Sequence, residues 1–429
     1  MTLLLENARL IDPETGTDRP GWLLIKDGVI AARGADSPPG LDEAAIRIDC
    51  AGQALAPGII DIGVKTCEPG ERHKESIRTA GLAAAAGGVT TMVTRPDTTP
   101  ALDTPEVLEF VKRRGAEVAA VHMLPMAALT KARAGREMTE IGFLQDAGAA
   151  AFTDCDHVLR DPKVFARAMT YARALGALII AHPQDPDLSA GAAVTSGKFA
   201  SLKGLPAVSP MAERIGLERD LALVEMTGAR YHADQITTAA ALPALARAKE
   251  AGLDVTAGVS IHHLTLNEFD VGDYRTFFKV KPPLRAEDDR MAMVEAVGSG
   301  LIDIISSMHT PQDEESKRLP YEAAASGAVA LETLLPAALR LYHSGQLTLP
   351  QLFRAMALNP AKRLGLPAGR LAVGAPADLV LFDAHAPFVM DRATLRSKSK
   401  NTPFDGMRME GRVALTLVGG TVVYDRANQ

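Results

Sequence analysis

The chain has 429 residues, 47% hydrophobic and 23% charged, enough apolar material for one large core and a smaller companion unit. Its net charge of −6 disfavours nucleic acid and anionic membranes as partners. The longest apolar runs, such as residues 83–86 and 178–181, are too short to span a bilayer. Three cysteines (Cys50, Cys67, Cys155) form no disulfide framework, and the opening MTLLLENARLIDPETG has no basic segment. A cytoplasmic protein without a signal peptide is expected.

In chain order, residues 2–10 alternate as a strand and 12–16 form a turn. Segments 22–26 and 29–33 flank Asp27-Gly28, a two-residue hairpin signal. Residues 46–50 read as a further strand. From Leu55 the pattern becomes strand, loop, helix, repeated. Predicted strands fall at 59–62, 89–94, 118–124, 149–153, 178–182, 230–236, 254–259 and 302–306. Predicted helices fall at 76–86, 104–114, 140–146, 162–175, 214–227, 239–251, 288–298, 323–342 and 349–356. Thr104 is placed as an N-cap with Pro105 in the first turn. About eight strands alternating with helices predict a parallel (β/α)8 barrel with right-handed crossovers. From Gly369 strands return at 378–382, 413–418 and 421–424, the last two flanking Gly419-Gly420. The expected architecture is α/β: a barrel over 56–367 and a small β-sandwich-like domain built from both termini, 1–55 plus 368–429.

Five stretches resemble the dihydroorotase family of the amidohydrolase superfamily. They are EPGERHKESI (68–77), AAAAGGVTTMVTRPDTTPALDTPE (83–106), GLPAVSPMAERIGLERDLALVEMTGARYH (204–232), FKVKPPLRAEDDR (278–290) and SKSKNTPFDGMRMEGRVALTLVGGTVVYD (397–425). Active members of that family carry His-x-His at the end of the first barrel strand, where neutral imidazoles suit zinc. Here those positions are Gly63 and Lys65. A side chain is missing at the first, and an ammonium ligates no metal until it loses a proton. The resemblance places a substrate-gripping arginine at Cys67 and an asparagine at Asp97. Asp154, in Ala151-Phe152-Thr153-Asp154-Cys155, matches the stretch that supplies a bridging carboxylate, and His182 matches a metal-binding histidine. The next family histidine is Gln235, while His232 aligns with a residue of the strand interior. Ser306-Ser307-Met308-His309-Thr310-Pro311 resembles the Thr-Asp-His-Ala-Pro stretch, with Met308 at the general-base aspartate. A thioether cannot accept and return a proton at neutral pH.

Vestigial metal positions are therefore His182 and Asp154, lost ones are Gly63, Lys65, Gln235 and Met308, and a vestigial substrate pocket is expected at Cys67, Asp97 and His309. Lys65 either pairs with Asp154 in the vacated metal position or faces solvent. Cys67, Cys155, His182 and Asp154 make a single-metal alternative, but small buried cysteines are usually packing residues. His262-His263 is read as structural, and His73, His122, His157 and His343 as ordinary surface or packing histidines. The charged loop 311–320 is read as solvated or as a partner contact, and Lys281, Arg285 and Pro282-Pro283 as fold-shaping. The resemblance implies a catalytically inactive dihydroorotase-like protein of pyrimidine biosynthesis that binds no cofactor. As a homo-oligomer, it would serve as a structural or assembly subunit for aspartate carbamoyltransferase. The alternative is an active dihydroorotase-type hydrolase of cyclic amides with an atypical zinc site.

Overall fold

The computed structural model describes residues 2–36, 38 and 45–428. The expected terminal β unit thus includes positions 37 and 39–44, which lie outside the described residues.

The expected architecture is present: a TIM barrel with a β-rich unit made from both ends of the chain. Ile59–Val64, Val89–Thr94 and His122–Pro125 pair in parallel, as do Leu178–Ala181, Arg230–Ala233, Val255–Ser260 and Ile304–Ser306. Between these two groups the predicted strand 149–153 shrinks to Phe152, which bridges both Ala127 and Ile179. The barrel strands are rich in Val, Ile and Thr and mostly buried, the mark of a sheet covered on both faces.

The first helix shows how local sequence serves packing. Ser76 caps Ile77–Ala86 through the Thr79 amide, and Ala80, Ala83, Ala84 and Ala85 are buried. Small side chains let the helix sit close to its neighbours. At its end, a Cβ on Gly87 would lie 2.0 Å from the Leu331 carbonyl, so no other residue fits. Thr104 does occupy the N-cap of Pro105–Val118, without a side-chain hydrogen bond.

Three predicted elements differ. The helix placed at 323–342 is confined to Leu334–His343, because the preceding segment runs across the mouth, where Thr310 bonds to Ala328. Pro105–Val118 runs four residues further than predicted, so the following strand begins only at His122. The run at 349–356 divides into Leu349–Phe353, a wider turn at Arg354–Leu358 and Asn359–Leu364, whose first turn carries Pro360.

At the termini, Ala54–Pro57 pairs with Thr2–Asp12 on one side and with Leu379–Val389 on the other. This short strand joins the two chain ends into one sheet. Both predicted hairpins form, and Asp27 and Gly28 have φ of 49° and 80°, as a tight twisted turn requires. Among the described residues no helix is long and apolar enough to cross a membrane.

The first and last barrel strands are stitched by a side chain. Asp61, fully buried in Ile59–Val64, accepts the Ser307 amide at 2.8 Å and the Ser307 hydroxyl. The Lys65 amide completes the closure by donating to the His309 carbonyl at 2.9 Å. Burial pushes the Asp61 carboxyl up to about 6, against the pull of its Ser307 bonds. An amide keeps one of these bonds: its oxygen accepts the Ser307 amide, while its NH2 can only donate to the Ser307 oxygen, whose own proton loses its acceptor. Asp61→Asn is expected to cost about 1 kcal/mol, whereas Asp61→Ala, which orphans both Ser307 donors, should cost about 2–4 kcal/mol. Urea denaturation at pH 7 checks both.

Candidate functional site

The C-terminal ends of the barrel strands open into a cavity of about 830 Å3. Arg133, Asp154, Asp156, His182, Gln184 and Lys281 are among its walls. This is the face on which barrel enzymes build their sites. The backbone marks it too. Gly63, Cys67, Cys155, Gln235 and Met308 all have positive φ, between 47° and 98°. Such conformations cost about 1–3 kcal/mol for a residue with a side chain and gather where a fold must aim groups into a site.

Gly63 and Met308 meet. A Cβ on Gly63 would stand 2.7 Å from the Met308 sulfur, so the thioether fills the space into which a side chain at 63 would project. Met308 is 8% exposed.

Lys65 does not pair with Asp154, as one reading of the sequence expected, and its Nζ is largely covered. It lies 3.3 Å from Asp97 and 3.3 Å from Glu71. Asp154 is held by its own neighbourhood instead: it accepts the amides of Leu129 and Thr130 at 3.0 Å each and the Thr130 hydroxyl. It holds the loop after His122–Pro125 rather than facing a cation. Burial opposes the charge on Lys65, but the carboxylates, Asp97 foremost, outweigh it and leave the pKa raised. The acid at 97 is thus the counter-ion of the ammonium at 65.

From this pair a chain of alternating charges crosses the mouth. Asp97 accepts Arg95 at 2.8 Å; Arg95 lies 3.6 Å from Asp156; Asp156 lies 3.4 Å from Arg133 and 3.1 Å from Lys281. Burial opposes ionisation of Asp156, but Arg95 and Lys281 hold its carboxyl well below the usual range. Sequence reasoning missed Arg95, Arg133 and Asp156. Their one signal, charged residues in the loops that follow predicted strands, is shared with many surface loops. Lys281, read as fold-shaping, proves to be a wall of the cavity.

His182 is 4% exposed and its Nε2 has no partner. Burial, followed by the nearby Lys281, lowers its pKa to about 3, so the ring is neutral. Gln235 spends its amide on the Lys281 carbonyl at 3.3 Å. His232 lies in the strand interior, as expected, bonded to Thr256 at 2.9 Å. His263 is pinned between Ser260 and the Pro282 carbonyl, which supports its structural reading.

The expected substrate pocket at Cys67, Asp97 and His309 is not where the cavity lies. Cys67 is 1% exposed and burial pushes its thiol up to about 12. His309 is fully buried, 3.5 Å from Glu75, and accepts the Ala330 amide. Asp97 is committed to Lys65 and Arg95. None of the three lines the cavity, because each is drawn inward by a buried partner or by packing. Cys155 is also buried with its thiol raised to about 12, so both cysteines behave as packing residues. The loop 311–320, expected to be solvated, carries a buried exception: Lys317 donates to the carbonyls of Thr276, Lys279 and Ala325.

Residues 52–241 match the dihydro-orotase-like family model and residues 324–424 the amidohydrolase family model. A dihydroorotase of Wolbachia sp. subsp. Drosophila simulans is 40% identical over 423 residues, 98% of this chain and 95% of the relative. A dihydroorotase-like protein of Pseudomonas putida is 40% identical over 424 residues, 99% of each chain. Among solved structures, L-hydantoinase (dihydropyrimidinase) from Arthrobacter aurescens superposes with a TM-score of 0.88 at 26% identity, covering 99% of this chain and 96% of that one.

The ion pair at the centre of the mouth is open to a direct test. Lys65→Met takes one cation from the buried Asp97, which keeps Arg95, and one from the partly exposed Glu71, which keeps Lys74, and should cost about 1–3 kcal/mol. Adding Asp97→Asn should return about 0.5–3 kcal/mol of that as coupling energy. A double-mutant cycle in urea measures it; additive effects would mean that the two groups do not interact.

Proposed function

The chain belongs to the dihydroorotase family, and on that footing we propose that it is a member whose barrel mouth no longer hydrolyses cyclic amides and whose role is structural. The observation that carries this is the ammonium of Lys65, held by Asp97 and Glu71 where family members place a metal-binding imidazole, with the Met308 thioether lying over Gly63. Opening a cyclic amide by the family's chemistry needs a metal-activated water, polarisation of the carbonyl and a group that takes up and returns a proton. A bound divalent ion supplies the first two. Here three loop donors hold Asp154, Gln235 replaces an imidazole with an amide whose NH2 donates to a carbonyl, and Lys65 presents a charge that repels a cation. Among these buried groups, His182 has an Nε2 without a hydrogen-bond partner. That donor set does not fit a pair of divalent ions.

On this reading the ion-pair chain does the holding that metal ions do elsewhere, and a scaffold kept in full serves assembly. The partner proposed from the family resemblance is aspartate carbamoyltransferase in the cytoplasm, engaged by an oligomer of this chain. A second reading, an active cyclic amidohydrolase with one ion at His182, is favoured by the names of the full-length relatives and by the neutral, unpartnered Nε2 of that residue.

Two measurements separate them. Elemental analysis of the purified chain, with hydrolysis of dihydroorotate followed spectrophotometrically, should find no turnover above background and no gain on adding zinc. Zinc-dependent turnover abolished by His182→Ala would establish the second reading and sink the first. Deletion of this chain should leave aspartate carbamoyltransferase activity reduced or wrongly assembled in the same cell; a fully active, correctly assembled transferase would refute the assembly role.

A further inference from the structure

Where the helix Leu334–His343 meets two strands of the terminal sheet, three side chains converge that do not line the cavity at the barrel mouth. His343 ends the helix Leu334–His343, His385 lies on the strand Leu379–Val389, and Glu410 lies on Arg408–Val418. Each offers one ligand atom, and these atoms lie within 4.8 Å of one another. The two imidazole rings are 5.2 Å apart and tilted by 55°. His343 Nε2 is 3.5 Å from the Glu410 carboxylate. We propose that His343, His385 and Glu410 bind a divalent transition-metal ion of the zinc class.

The local structure is built to bring them together. The pairing of Leu379–Val389 with Arg408–Val418 breaks register between Asp383 and Pro387. His385 sits in that irregularity, its amide fastened to the Asp383 carboxylate at 2.9 Å. Residues 384–386 stand opposite Gly411 alone, and such a bulge re-aims a side chain, here placing an imidazole near the helix end. Opposite, Gly411 has φ of 102°, and a Cβ there would stand 2.2 Å from Leu339. Its bareness lets the helix approach the strand that carries Glu410. Tyr342 packs beside both rings, at 5.2 Å from His343 and 6.3 Å from His385.

The donor chemistry suits such an ion. Two neutral imidazoles and a carboxylate are borderline ligands preferred by zinc and its neighbours over magnesium or calcium. Tetrahedral zinc with bonds of about 2.0–2.1 Å sets its ligand atoms about 3.4 Å apart, so these exposed groups need close by little more than an ångström. His343 Nε2 also contacts the Ala384 carbonyl at 2.9 Å. In the metal-bound form its proton sits on Nδ1 and the Nε2 lone pair replaces that contact, an exchange at the surface worth about 1 kcal/mol. The negative end of the helix dipole favours a cation at His343. Three protein ligands leave an open position beside a groove of about 600 Å3 walled by Arg340, Phe388, Arg408 and Met409.

The experiment uses the full-length, untagged chain, stripped with EDTA and desalted, titrated with zinc in a calorimeter and with cobalt(II) by visible absorption. One equivalent should bind, with cobalt d–d bands typical of low coordination number. His385→Ala and Glu410→Gln, both at exposed positions, should each weaken binding at least about tenfold. Circular dichroism confirms that the variants remain folded. Wild-type affinity in both variants, or no zinc uptake by the wild type, overturns the proposal. So does loss of zinc in His182→Ala with retention in His385→Ala, which would place the ion in the barrel and also count against the structural reading of the mouth.

Discussion

An ammonium removed from water must be matched by negative charge, and at this barrel mouth that requirement orders everything around it. Lys65 sits at the end of the first barrel strand, 15% exposed, where neither solvent nor a metal partner can settle its charge. Asp97 and Glu71 settle it. Asp97 in turn draws Arg95 inward, Arg95 reaches Asp156, and Asp156 fastens Arg133 and Lys281 from two further loops. The mouth is therefore closed by a relay of fixed charges running between loops that follow different strands. Breaking one pair within such a relay leaves an uncompensated buried charge, so the members hold one another in place.

This arrangement accounts for departures that look unrelated in the sequence. An acid at 97 and a lysine at 65 are a matched pair. A methionine at 308 and a glycine at 63 are matched by volume, since the sulfur takes the space a side chain at 63 would fill. The left-handed backbone at Gly63, Cys67, Cys155, Gln235 and Met308 persists even though these side chains present no basic or metal-binding group to the cavity. The backbone that aims groups into the site is kept while the side chains at these positions have a different chemistry.

Away from the mouth, the fold depends on small residues and a few buried acids. Asp61 closes the barrel through Ser307, and Gly87 lets a helix end touch the Leu331 carbonyl. The same economy appears at the terminal sheet, where Gly411 and a break in strand register bring His343, His385 and Glu410 to one spot. These residues sit 42 and 25 positions apart in the chain, on a helix and two strands, so the sequence marked only His343, as an ordinary surface or packing histidine.

The sequence by itself determined the alternation of strands and helices, both hairpins, the union of the two termini and the family, because periodicity, turn residues and contiguous motifs are local properties. It also determined which letters stand at the expected metal and proton-transfer positions. It did not determine what those residues touch. Lys65 chose Asp97 and Glu71 over Asp154, because Asp154 was already taken by the amides of Leu129 and Thr130; His309 turned inward to Glu75 rather than to the cavity. The fourth predicted barrel strand reduced to Phe152 and the helix at 334–343 began eleven residues late for the same kind of reason. Partners in a buried charge network compete, and which one wins depends on distances fixed only when loops from separate strands are brought to a common rim.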